Sequence, residues 1–191
     1  TPKSITGAFT ADDKEYDGDA SATVLTRSVD PARVESGATV SLTGGTAAFD
    51  NKNVGEDKIV TLTGATLTGG DAGNYNLTSV ATTTADITKK AAVIHFTADD
   101  KVYDGDTDAV IVGSSVTGVL EDDTVTVNGS GASASFDNKN VGTNKTVTGT
   151  GFDLAGADAG NYSFTTDDTT ADITPKSITG AFTADDKEYD G

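Results

Sequence analysis

The 191-residue chain contains no cysteine, methionine, tryptophan or glutamine, and only one histidine and three prolines. Without cysteine there is no disulfide framework, no thiolate-bound metal and no catalytic thiol. A lone histidine, His95, leaves zinc sites and hydrolytic triads without their parts. Without glutamine a Thr–Gln ester crosslink is ruled out. No apolar run approaches the 18 or so residues that a membrane-spanning helix needs. There is no signal-peptide pattern and no initiator methionine, so the expected origin is the interior of a longer soluble chain. Cations are also scarce: 13 Lys and Arg stand against 30 Asp and Glu, a net charge of −17. That balance repels phosphate backbones and anionic membranes, so neither nucleic-acid binding nor membrane insertion is expected. Paired carboxylates abound, but with few aromatics and no tryptophan they make a poor sugar cleft, and no enzymatic activity is expected.

What the chain has in quantity is repetition. Residues 1–18 and 174–191 read the same eighteen letters, TPKSITGAFTADDKEYDG, and a variant, AAVIHFTADDKVYDGD, occupies 91–106. Phe9, Phe96 and Phe182 are therefore 87 and 86 residues apart. FDNKNVG at 49–55 returns at 136–142, and DAGNY at 71–75 returns at 158–162. His95 is not part of the pattern, since its counterpart is Ala8. A period this long marks a small domain rather than a solenoid rung, and a chain of about 87 residues can bury a core of its own. The period divides the sequence into a linker remnant (1–3), a first repeat (4–90), a second repeat (91–177) and the truncated start of a third (178–191). The connections ADITKKAAVIHF and ADITPKSITGAF are brief, and Pro175 fixes one φ in the second. Neighbouring repeats are the expected partners, stacked head to tail with little swing.

Threonine is the commonest residue, and β-branched residues alternate in short runs parted by Gly, Asn and Asp. No window carries apolar residues at helical spacing. The first copy offers SITGAFT, SATVLT, ATVSLT, TAAF, KIVTLTG, NYNLT and TTTADIT. The second offers AVIHFT, DAVIV, TVTVN, SASF, KTVTG, NYSFT and TTADIT. Strand count and spacing predict an all-β chain of tandem immunoglobulin-like sandwiches of about seven strands each, with a β-grasp as the alternative.

Three motifs stand out. DAGNY has the spacing of a tyrosine corner, so Asp71, Gly73 and Tyr75, with Asp158, Gly160 and Tyr162, are read as structural. Leu77 and Phe164 stand where an antibody domain would place its second cysteine. The acidic loop brings together Asp12, Asp13, Asp17 and Asp19, and in the second copy Asp99, Asp100, Asp104 and Asp106. Such carboxylates are candidate calcium ligands, though the alternate spacing and terminal Glu of an EF-hand are missing. The plainer reading is a solvated turn closed by Asp17-Gly18 and Asp104-Gly105, with the tyrosine packed on the sandwich. No other cofactor is expected. FDNKNVG places Lys52 and Lys139 among turn-forming asparagines. An isopeptide bond there would need the lysine buried beside an amide or acid and a catalytic carboxylate; the simpler reading is a polar loop after a buried Phe.

The set FTADDKxYDGD, FDNKNVG, DAGNY and TTADIT resembles the YDG-type repeats, related to the glycine-rich, MBG-like repeats of bacterial surface proteins. The resemblance covers the whole chain. It implies tandem occurrence in large secreted adhesins, such as filamentous-haemagglutinin-like proteins, and extracellular display at the bacterial surface. It brings no catalytic residue. The expected function is a structural spacer, stacked into a semi-rigid stalk that supports cell adhesion. The alternative is a repeated binding module for a host or cell-surface ligand. Loops 27–37 and 113–123 differ between copies while strands and junctions match, which weighs against a common ligand on those loops. The duplicate at 178–191 is expected to complete an edge of the second repeat or to replace another molecule's first strand.

Overall fold

The computed structural model describes residues 1–191. It contains eighteen strands, three single-turn 3₁₀ segments and no α-helix. By compactness the chain divides into two units: Thr1–Ile94 with Val116–Asn128 and Asp153–Thr165, and His95–Ser115 with Gly129–Phe152 and Thr166–Gly191. This division does not follow the sequence period. The first unit holds the whole first repeat together with the segments of the second that include its DAGNY corner.

The first repeat runs β1 (Lys3–Ala11), β2 (Lys14–Glu15), β3 (Ser21–Ala22), β4 (Val24–Val29), β5 (Ser41–Phe49), β6 (Gly55–Thr68), β7 (Tyr75–Val80) and β8 (Thr83–Thr88). Strand β1 lies between β4, antiparallel, and β7, parallel. The second sheet has the order β2-β8-β6-β5-β3, antiparallel except for the parallel pair β2/β8. In β1 the period of two is plain, with Ile5, Gly7 and Phe9 buried and Ser4 and Ala8 exposed. Phe9 shares one cluster with Leu42, Ala47 and Phe49 of β5, Val60 and Leu62 of β6, and Ala85 and Ile87 of β8. Each large side chain so buried stabilises the fold by about 1.5–3 kcal/mol.

The second repeat follows with β9 (Lys90–Ala98), β10 (Lys101–Val102), β11 (Asp108–Ala109), β12 (Ile111–Thr117), β13 (Thr126–Asn128), β14 (Ser133–Phe136), β15 (Gly142–Thr150), β16 (Asp153–Ala155), β17 (Tyr162–Thr166) and β18 (Thr169–Thr174). The sheet β10-β18-β15-β14-β11 repeats the five-stranded order of the first copy, including its parallel pair. Only Lys89 separates β8 from β9.

The strands differ from the seven expected runs in ways that the sequence explains. ATVSLT and TAAF fuse into β5 because Gly44 and Gly45, at φ 67° and 83°, carry the ladder through a kink opposite Ala65 and Gly64. The second copy has GSGA where the first has GG, and there the run stays split into β13 and β14. The two-residue strands β2 and β10 are too short to show alternation. A compensated exchange also distinguishes the cores. Gly149 replaces Leu62, and Phe152 fills the space, its ring 5.4 Å from that of Phe96. A Cβ on Gly149 would meet those two rings at 2.7 and 2.8 Å.

Residues 175–191 form no strand and are exposed throughout. They complete no edge of the second repeat, contrary to the first of the two expectations. The same sequence becomes β1 only where β4 and β7 flank it.

Candidate functional site

Each corner pins a distant loop. The Tyr75 hydroxyl accepts a hydrogen bond from Glu35 N at 2.9 Å, and Asp71 Oδ2 accepts one from Thr39 N at 2.7 Å. In the second copy the Tyr162 hydroxyl accepts from Leu120 N at 3.0 Å, and Asp158 Oδ2 from Thr124 N at 3.0 Å. The reach is 40 and 42 residues upstream, far beyond the few residues of an antibody-type corner. Gly73 and Gly160 sit in open space at ordinary φ, so the geometry does not require glycine at either place.

The acidic loops are engaged by the protein itself. Asp13 Oδ1 accepts from Asp86 N at 2.7 Å, and Asp100 Oδ1 from Asp172 N at 2.7 Å, tying each loop to β8 or β18. Asp17 and Asp19 pair with Lys14 at 2.7 and 3.1 Å, and Asp104 and Asp106 with Lys101 at 2.9 and 2.6 Å. Hydrogen bonds from Ser21 to Asp19 hold that carboxyl down at about 2. Asp12 and Asp99 contribute backbone bonds, to Thr23 O and Val110 O. No three of these carboxylates converge as ligands around one point.

The feature with the densest chemistry lies elsewhere, where four loops meet in the first unit. The first repeat supplies Tyr16, beside the Asp17-Gly18 turn, and Lys52, Asn53 and Val54 of FDNKNVG. The second supplies Asp158, Asn161 and Tyr162 of its corner, and Asp123 from the loop before β13. The Asp123 side chain is 2% exposed. It accepts from the Tyr162 hydroxyl at 2.7 Å, the Tyr16 hydroxyl at 3.1 Å and Lys52 Nζ at 3.1 Å. Lys52 Nζ also reaches Asp158 at 3.3 Å and lies 5.8 Å from the Tyr16 ring centroid. The two tyrosine rings meet edge to face at 5.6 Å. Asn161, 5% exposed, accepts from Val54 N at 3.0 Å and donates to Asn53 Oδ1 at 3.4 Å.

Apolar packing closes this junction. Ala92 and Tyr162 belong to the same buried cluster as Phe9 and Phe49, and Val119 and Leu120 pack against it. The core of the first repeat therefore continues into its neighbour, where the sequence pointed to a self-contained core and a short connector. Gly18 serves this contact directly. Its φ is 87°, and a Cβ there would come within 3.1 Å of Leu120 Cδ1.

Burial pushes the Asp123 carboxyl up, but the Tyr162 and Tyr16 hydroxyls and Lys52 outweigh it and hold the group below its usual value. Burial raises the Tyr16 phenol and takes that of Tyr162 up to about 12. Bonds to Tyr16, Asp123 and Asp158 raise Lys52 and keep it cationic. An isopeptide bond needs a neutral amine as nucleophile, so this arrangement favours an ion pair over a crosslink. Lys139 is exposed.

Sequence reading missed Asp123, which lies at the end of a loop that differs between copies. Its only signal was the contrast of LEDD with the first copy's ESGA. Apart from Asp123 and Leu120, the residues that meet across the junction come from YDG, FDNKNVG and DAGNY, three elements that recur unchanged in both copies. No match to this chain is found among curated proteins or among solved structures. The model of the YDG domain matches twice, over residues 1–85 and 87–171, and the chain accordingly belongs to the YDG-domain family.

Proposed function

We propose that the chain is a structural spacer of a bacterial cell-surface adhesin, displayed outside the cell as a stalk of head-to-tail repeats and without enzymatic activity. The observation that carries this reading is the junction at Asp123, which joins consecutive repeats by a buried, fully bonded contact instead of a loose tether. A stalk must resist bending at its joints, and a joint with tyrosine packing, an ion pair and asparagine bonds on one side of a one-residue connector is suited to that. Shared burial of β1 against the five-stranded sheet supports a sandwich, and the corner supports its immunoglobulin-like character; the parallel β1/β7 and β2/β8 pairs are its main departure. The differing loop at 113–123 is drawn into the joint through Leu120 and Asp123, which takes part of it away from any ligand.

Immobilising the intact chain and applying intact bacterial and host cells and a glycan array tests the reading. No saturable binding is expected. Tight saturable binding would replace the spacer by the adhesive-module alternative.

A further inference from the structure

The second repeat carries, one period on, the groups with which the first grips its neighbour. Tyr103, Lys139, Asn140 and Val141 stand where the first repeat has Tyr16, Lys52, Asn53 and Val54. Tyr16 is 1% exposed, whereas Tyr103 is only half-buried. Val54 is half-buried and Val141 is 49% exposed. Gly105 keeps a φ of 97°, yet nothing lies within 4 Å of its Cβ position, where Gly18 meets Leu120. Tyr103, Asn140 and Val141 line a groove with Pro175, Lys176 and Ile178. The counterpart of Ile178 one period earlier, just past the first repeat, is Ala92, which is 2% exposed under the junction, while Ile178 is 91% exposed.

The corners differ at one telling position. Tyr75 binds Glu35 N and Asp71 binds Thr39 N, as Tyr162 binds Leu120 N and Asp158 binds Thr124 N. Ala38 N donates to Glu35 O, as Asp123 N donates to Leu120 O. Ala38 therefore occupies the place of Asp123.

We infer that the groove at Tyr103, Asn140 and Val141, with the adjacent Lys139, is a docking site for the corner of a further YDG repeat, and that it selects a repeat with an acid at the position of Asp123 over one with alanine. The occupant is identified by the junction already formed. Two phenol hydroxyls and an ammonium need a buried acceptor between them, and an alanine corner leaves that place empty. The contact is heterologous, so each docking exposes a fresh groove and the array extends without closing. The inference deepens the spacer reading and rests on it.

The test replaces residues 174–191 with a second copy of residues 88–174, marked by Thr143→Ser so that its peptides differ in mass. Lysine acylation by a succinimidyl ester is followed residue by residue. In the 191-residue chain Lys139 is expected to react on the order of tenfold faster than Lys52, as an open site does against a protected one. In the extended chain Lys139 slows to the rate of Lys52. An Asp→Ala change at the appended counterpart of Asp123 restores the fast rate. Fast acylation in the extended chain, with the added repeat folded by circular dichroism, overturns the docking. Equal protection by the aspartate and alanine versions overturns the selection. If the added repeat does not fold, Ala38→Asp in the original chain decides: concentration-dependent association in sedimentation, abolished by Lys139→Glu, is expected, and a strictly monomeric variant overturns the inference. Saturable binding to cells or glycans strikes the spacer reading alone and leaves the acylation result standing.

Discussion

Tyr16, Tyr103 and Tyr189 stand at one place in three copies of one motif, and they lie at three depths. Tyr16 is 1% exposed beneath the next repeat's corner, Tyr103 is half-buried with no corner on it, and Tyr189 is 96% exposed. The identical eighteen-residue segments make the same point. Ile5 and Phe9 are 0% and 5% exposed, and their duplicates Ile178 and Phe182 are 91% and 93% exposed. Burial here belongs to the neighbour and not to the motif. The segment has the alternation of a strand wherever it occurs, but it becomes one only where β4 and β7 satisfy its backbone and a facing sheet covers its apolar side.

The largest expected separation comes from the phenylalanines. Phe9→Ala is expected to cost about 3–5 kcal/mol in denaturant unfolding, while Phe182→Ala stays within about 0.5 kcal/mol of the parent. Removing the acceptor comes next. Asp123→Ala strands two phenol hydroxyls beside a cation and is expected to cost about 3 kcal/mol. Ala38 has no such network, so the copies part again. Tyr16→Phe deletes one hydrogen bond to a buried carboxylate and is expected to cost about 2 kcal/mol, whereas Tyr103→Phe and Tyr189→Phe change stability by less than about 0.5 kcal/mol.

Titration should follow the same joint. Asp123 is depressed in the folded state, so its contribution is whole above the ordinary carboxylate value and fades as pH falls through the folded one. Tyr162 is raised from 10.0 to about 12, so the contribution of its protonated hydroxyl is whole below 10.0 and is lost as pH rises through about 12. Tyrosine ultraviolet absorbance and thermal melts across both limbs measure this. The smallest expected effect is that of calcium. The acidic-loop carboxylates already have lysine and amide partners, so melting curves with calcium and with chelator are expected to coincide.

The period, the all-β class and most strand centres were legible because identity at fixed spacing and alternation of β-branched residues are local signals. The fusion of β5 was not, since GG reads as a turn when its partner Gly64 is unseen. The acidic loop drew attention to calcium because a sequence shows its carboxylates but not Lys14, Asp86 and Ser21 arranged around them. The junction was the least legible feature. Its central acid lies in a loop whose variation between copies was weighed only as evidence against a common ligand, while that variation separates the occupied corner from the free one. The repetition of three motifs together was the available clue that they share one task.

One feature of the topology governs how tension would act. The first strands of the repeat run parallel to the last ones, β1 with β7 and β2 with β8. Pulling the two ends apart drives such pairs past each other along their length, loading their hydrogen bonds together in shear instead of opening them one at a time like a zip. A repeat wired in this way resists stretching most strongly along the axis in which a chain of its copies would be drawn.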